Sequence, residues 1–124
     1  METTLKALIS SHAGDLNAIG APDRPWLTYD RLRGLTEEVR SALNGFGVGR
    51  ADRVAIVLPN GPEMATAFVT IAQVATTAPL NPAYREEEYS FYLSDLNAKA
   101  LVVMAGDDGP AVVSATKAGM LIIR

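Results

Sequence analysis

Between Thr28 and Gly47 apolar residues recur at helical spacing: Leu32, Leu35, Val39, Ala42, Leu43 and Phe46. Arg31, Glu37, Glu38 and Arg40 lie mostly off that stripe, so the segment predicts an amphipathic helix with Thr28 as its N-cap. Asn44, Gly45 and Gly47 supply the stop, since glycine accepts the left-handed conformation of a helix end. Ahead of it, residues 3–13 predict a short helix with Leu5, Leu8 and Ile9 on one face, and residues 14–25, punctuated by Gly14, Gly20, Pro22 and Pro25, predict a loop.

The pattern then changes. "RVAIVL" (53–58) is a continuous apolar run, which predicts a strand buried on both faces, as in a parallel sheet covered by helices. Pro62 suits the first position of a helix running to about Ala75. That helix is so apolar that it predicts cover on most sides, with Met64, Phe68, Ile71 and Val74 each contributing about 1.5–3 kcal/mol on burial. "TTAPL" (76–80) predicts a strand that Pro79 confines to a strand end or sheet edge. A helix opening on Glu86, Glu87 and Glu88 follows, with Tyr89, Tyr92, Leu93 and Leu96 as its apolar stripe. A strand over 98–104, a helix over 110–118 and a strand over 120–124 complete the series. The alternation β-α-β-α-β-α-β predicts an α/β fold: a parallel sheet of about four strands flanked by helices, in one domain over residues 1–124.

Composition narrows the chemistry. The 124 residues include no Cys and one His, which excludes disulfide scaffolds and thiol catalysis and argues against a zinc site or a Ser/His/Asp triad. A net charge of −3 with scattered Lys and Arg does not suggest nucleic-acid or membrane-surface binding. No apolar run approaches the roughly 18 residues of a membrane span. The N-terminus lacks a basic start before an apolar core, so a cytoplasmic protein is the expectation.

The candidate sites are weak one by one. The turn Pro59-Asn60-Gly61-Pro62 stands between a strand and a helix, where many enzymes hold a phosphate. Yet Pro62 removes an N–H, and Glu63 would oppose a phosphate at 4 Å by about 1 kcal/mol in water; a turn and helix cap is the expectation. "GFGVGR" (45–50) follows a helix and precedes a strand, the reverse of a dinucleotide fingerprint, and is expected to be a C-cap. Asp107-Asp108 is expected to be turn chemistry before a Pro-started helix, not a metal site. Tyr84, Tyr89 and Tyr92 are expected to pack rather than to form a platform for a base. Glu86, Glu87 and Glu88 are expected to be a solvated helix start, and His12 a surface residue near a helix end.

Taken together, "DRVAIVLPN" (52–60), "PLNP" (79–82) and "YLSDLNAKALVV" (92–103), in this order and spacing, resemble the N-terminal part of the adenylate-forming acyl-CoA synthetases and ligases, the AMP-binding superfamily. The resemblance covers residues 26–124, and "AYREEEYSFYLSDL" is most similar to the oxalate–CoA ligase and coumarate–CoA ligase branch. One departure is Ala75-Thr76, where the family usually has a Gly before the second strand.

The resemblance implies a two-step reaction of a carboxylic acid with ATP, Mg²⁺ and coenzyme A, through an acyl-adenylate. The family's phosphate loop, Mg²⁺ acid, ribose Asp and C-terminal Lys match no position here. No catalytic, cofactor-binding or metal residue is therefore assigned within 1–124, and no cofactor is expected for these residues alone. The chain is expected to be a fragment of such a synthetase, inactive by itself. The alternative is a non-catalytic association module that forms a homo-oligomer through an uncovered sheet edge or apolar face. A free-standing nucleotide-binding domain is a third reading, for which ATP binding no tighter than millimolar is expected.

Overall fold

A computed structural model of the chain describes residues 4–124. Part of the predicted first helix, Thr3, and the residues Met1–Thr3 of the N-terminal segment lie outside the described residues.

The first helix, α1, is shorter than predicted, Leu5–Ser10, with the Thr4 hydroxyl accepting the Ala7 N–H. Ile9 is its buried residue, whereas Leu8 faces solvent at 49% exposure, which corrects the expected Leu5–Leu8–Ile9 face. The predicted loop over 14–25 is also corrected. It contains a strand, β1 (Asn17–Ile19), paired antiparallel with β2 (Leu27–Thr28). The ribbon is tied to the next helix by N–H donation from Tyr29 to Leu16 O and from Asp30 to Gly14 O, both at 3.0 Å.

Helix α2 (Tyr29–Gly45) begins where expected, with the Thr28 hydroxyl accepting the Arg31 N–H. It ends in a Schellman arrangement: Gly47 takes φ +81°, and the Val48 N–H donates to Leu43 O at 2.8 Å. Val48 and Leu43 are both buried in one apolar cluster, the contact that completes this motif. Phe46 becomes the cap residue and is 55% exposed, so it does not complete the core stripe predicted for it.

Strands β3 (Arg53–Val57), β4 (Thr76–Pro79), β5 (Ala100–Val103) and β6 (Leu121–Ile123) form a wholly parallel sheet in the order β4-β3-β5-β6. Helices α3 (Pro62–Ala72), α4 (Glu86–Asp95) and α5 (Pro110–Lys117) connect consecutive strands. Every β3 residue after Arg53 is buried, as a central strand with both faces covered requires. Pro79 sits on the edge strand β4, where its missing N–H breaks no ladder bond.

Period-two alternation divides the core. Val54, Ile56, Leu58 and Ala100 face α2 and α3, while Ala55, Val57, Leu101 and Val103 face α4 and α5. Ala75, at the position where the resembled family carries Gly, is 7% exposed within the first cluster, so its methyl group is packed there. Cover over α3 is less complete than its composition predicts. Ile71 and Val74 are buried and Met64 partly so, but Phe68 is 40% exposed. Ala65 and Phe68, three residues apart, share the outer side of a helix whose other sides meet α2 and the sheet. The burial contribution expected of Phe68 is correspondingly smaller.

Candidate functional site

The sheet order creates one place where ligands of open α/β sheets are expected. The chain leaves β3 toward β4 on one side, then crosses to β5 on the other, so a crevice opens outside the carboxyl ends of β3 and β5. A cleft of about 370 Å³ lies there, between Val57 and Pro59, the Met104–Asp107 turn, Pro82 and Tyr89. Its lining contains one carboxylate, Asp107, and one phenol, Tyr89, and neither Lys, Arg, Ser nor Thr. Asp107 Oδ1 accepts the Gly109 N–H at 2.8 Å, so the carboxylate shapes the turn, as expected of the Asp107-Asp108 pair. Asp108 pairs with Arg124 at 3.5 Å. Among the described residues no group of three or more metal-ligating side chains occurs.

Tyr89 is 1% exposed, and its hydroxyl donates to Asn81 O at 2.7 Å. Burial holds the phenol in its neutral form and raises its pKa. Tyr84 meets Tyr89 edge-on, with ring centroids 5.7 Å apart, and stacks on Tyr92 at 5.2 Å. The three rings thus pack on one another and pin the Asn81-Pro82 turn beside the cleft.

The Pro59–Pro62 turn is at the rim. Glu63 accepts its own backbone N–H and an Arg24 N–H, which lower its pKa, the Arg24 bond foremost. A carboxylate therefore already occupies the start of α3, and the turn serves as cap and as anchor for the loop that carries Arg24. The glycines of 45–50 form the α2 C-cap described above. Glu86 pairs with Lys117 at 3.2 Å, and the Glu88 carboxylate accepts the Arg85 N–H at 3.1 Å. The Glu88 contact is local to the start of α4, whereas the Glu86 pair is an exposed bridge from α4 to α5. His12 is exposed and stacks on Tyr29 with ring centroids 4.7 Å apart.

A second cavity, of about 480 Å³, was not visible in the sequence. It lies on the α2/α3 side of the sheet, where neither helix fully covers β5 and β6. Val102 and Ile123 line it from the sheet, Leu35, Val39 and Phe46 from α2 and its cap, and Arg24 with Glu63 from the rim. Its signal in the sequence was faint: Leu121 and Ile123 carry the alternation of a sheet face, but which partner covers that face is not a local property.

Comparison with known proteins gives the relationship. Residues 9–122 match the family described as AMP-binding enzyme. Oxalate–CoA ligase from Arabidopsis thaliana is 36% identical over 119 residues, 92% of this chain and 23% of that protein. Long-chain-fatty-acid–CoA ligase FadD13 from Mycobacterium tuberculosis is 32% identical over 93 residues, 74% of this chain and 18% of that protein. Apo MatB from Rhodopseudomonas palustris superposes with a TM-score of 0.83 over 98% of this chain and 25% of that one, at 22% identity, a likeness of fold. The chain thus spans about a quarter or less of the length of these relatives.

Proposed function

This chain belongs to the AMP-binding enzyme family, and on that premise we propose that it is the first α/β layer of an ATP-dependent carboxylate–CoA ligase. In that reaction a carboxylate oxygen attacks the α-phosphorus of ATP and pyrophosphate leaves; the coenzyme A sulfur then attacks the acyl carbon and AMP leaves. The role assigned to residues 4–124 is positional. The observation that carries this is the lining of the switch-point cleft. Without a cation it does not fit a triphosphate, and with one carboxylate committed to a turn it does not fit Mg²⁺. It is a rigid, largely apolar wall held by the buried Tyr89 and the Pro59 and Pro82 turns. The 124 residues alone are accordingly proposed not to form adenylates, and the protein to act in the cytoplasm.

The resemblance to oxalate–CoA ligase makes oxalate the first acid to test. Pyrophosphate release should be measured with ATP, Mg²⁺, coenzyme A and oxalate, for the 124-residue chain and for the polypeptide of the full reading frame that encodes it. The expected result is a blank rate for the former and thioester formation by the latter. Turnover by the 124 residues above a blank would overturn the positional role.

A second reading, self-association, is favoured by the cavity beside β6. Leu121, Ile122 and Ile123 are only half-buried, β6 is an edge strand, and Phe46 stands 55% exposed beside them. Light scattering across a concentration series should then show a dimer that Ile123→Asp disperses; a monomer throughout excludes this reading.

A further inference from the structure

At the opposite end of the sheet from the switch point, a pocket of about 630 Å³ opens between α1, the last turns of α2 and the α3–β4 junction. We propose that it binds a multiply charged phosphate anion, free or as the terminal group of an ester. The inference does not rest on the ligase reading.

Three cations line the pocket, Lys6, Arg40 and Arg50, together with Thr4, Gln73 and Thr76, and no carboxylate lines it among the described residues. This is a concentration of positive charge on a chain whose net charge is −3. The ordinary explanation is that cations gather where helices end, because α2 and α3 each present about −0.5 charge from their last carbonyls. Two observations exceed it. First, the Arg40 Nη2 is buried without any hydrogen-bond partner, although its Nε lies 3.4 Å from Glu37. A guanidinium serving a helix end would donate to a carbonyl; this one leaves a donor unmet, a state that folded proteins rarely tolerate. Second, among the described residues neither Lys6 nor Arg50 enters an ion pair or donates a side-chain hydrogen bond. Glu37 and the two helix ends offset roughly two of the three charges, which leaves the pocket positive.

The chemistry of the lining selects the ligand. Guanidinium groups present paired donors that match phosphate oxygens, and an ammonium adds a point charge. The Thr4 hydroxyl, which only accepts from the Ala7 N–H, can donate to a remaining oxygen, whereas the Gln73 amide is committed to Thr36 Oγ1 and Val69 O and the Thr76 hydroxyl to Arg50 O. A small turn of the Arg40 side chain would give its unmet N–H a phosphate oxygen as acceptor. An apolar or cationic ligand would leave these donors unpaired.

The test is a titration of the 124-residue chain followed by ¹H–¹⁵N NMR, with inorganic pyrophosphate, a phosphate monoester such as glycerol 3-phosphate, and sodium chloride at matched ionic strength. Saturable shifts are expected at the Arg40 side-chain Nε–H and the Gln73 amide with one or both phosphates at millimolar concentration, and none with chloride. Stronger binding of pyrophosphate assigns a free anion, and stronger binding of the monoester assigns an ester. Lys6→Gln and Arg50→Gln, both at exposed positions, should each weaken binding by about fivefold. Lys117→Gln, at a distant surface position, should leave it unchanged. The proposal fails if chloride reproduces the shifts, if neither phosphate gives a saturable response, or if both pocket variants bind as tightly as the unaltered chain.

Discussion

Lys99 and Asp52 hold together the amino ends of β5 and β3. The Lys99 ammonium lies 3.4 Å from Asp52 Oδ2 and donates to Gly47 O at 2.6 Å, while Asp52 Oδ2 accepts the Gly49 N–H at 2.8 Å. Asp52 opens the segment 52–60 and Lys99 falls inside the segment 92–103, two of the segments by which the sequence resembles its family. Their role here is to fasten the glycine turn after α2 to the start of the sheet.

The first prediction follows from this clamp. The Gly49 N–H, and secondarily the Lys99 charge, hold the Asp52 carboxyl below its ordinary value of 3.8. A depressed carboxyl contributes stability that is fully present above the unfolded-state value and is lost as pH falls through the folded-state value. Melting temperature should therefore fall below about pH 4, and part of that fall should be absent in Asp52→Asn. Identical acid profiles for the two proteins would contradict it.

The glycine turn itself separates two kinds of glycine. Gly47 has φ +81°, so Gly47→Ala should destabilise by about 1 kcal/mol through strain alone, since open space surrounds its position. Gly45 is the last residue of α2, also with open space, and Gly45→Ala should instead stabilise by about 0.5 kcal/mol. Urea unfolding of the pair checks the opposite signs.

This contrast shows which parts of the fold were legible. The Thr28 cap, the Gly47 stop, the buried β3 and the edge position of Pro79 each rest on local backbone chemistry, and local chemistry is written in adjacent residues. The β1–β2 ribbon was not legible. Strands of three and two residues show no periodicity, and their pairing depends on contacts across seven intervening positions. Phe46 and Phe68 were misplaced for a related reason. Helical spacing says which residues share a face, but not how far the neighbouring elements extend over it. The charged pocket was illegible because Lys6, Arg40 and Arg50 are brought together only by packing of α1 against α2 and the α3–β4 junction.

The ribbon supplies an optical test. A Cβ at Gly20 would lie 2.3 Å from Trp26 Cε3, so the indole occupies the space beside this glycine. Trp26 is the sole tryptophan. Gly20→Ala should turn the ring outward from its present 57% exposure and shift its emission to the red, with little change in helix content. Unchanged emission would mean that the ring does not rest there in solution.

Tyr89 carries the last prediction, because it joins the candidate cleft to the core. Its hydroxyl is buried and donates to Asn81 O at 2.7 Å, so Tyr89→Phe removes this bond and leaves the carbonyl with the Tyr84 N–H, at 3.2 Å, as its remaining donor. The expected cost is about 1 kcal/mol. The pH dependence has the opposite direction to that of Asp52. Burial, ahead of the influence of Asp107 and Glu88, raises the Tyr89 pKa above its ordinary value of 10.0. The unfolded chain therefore loses this proton first as pH rises, and the folded state loses stability from about pH 10 upward. Tyr89→Phe abolishes that contribution. The two proteins should differ most in stability near neutral pH and converge in alkali, as followed by urea midpoints. Parallel profiles would show that the phenol ionises as freely in the folded chain as in the unfolded one, and that the wall beside the cleft is open to water.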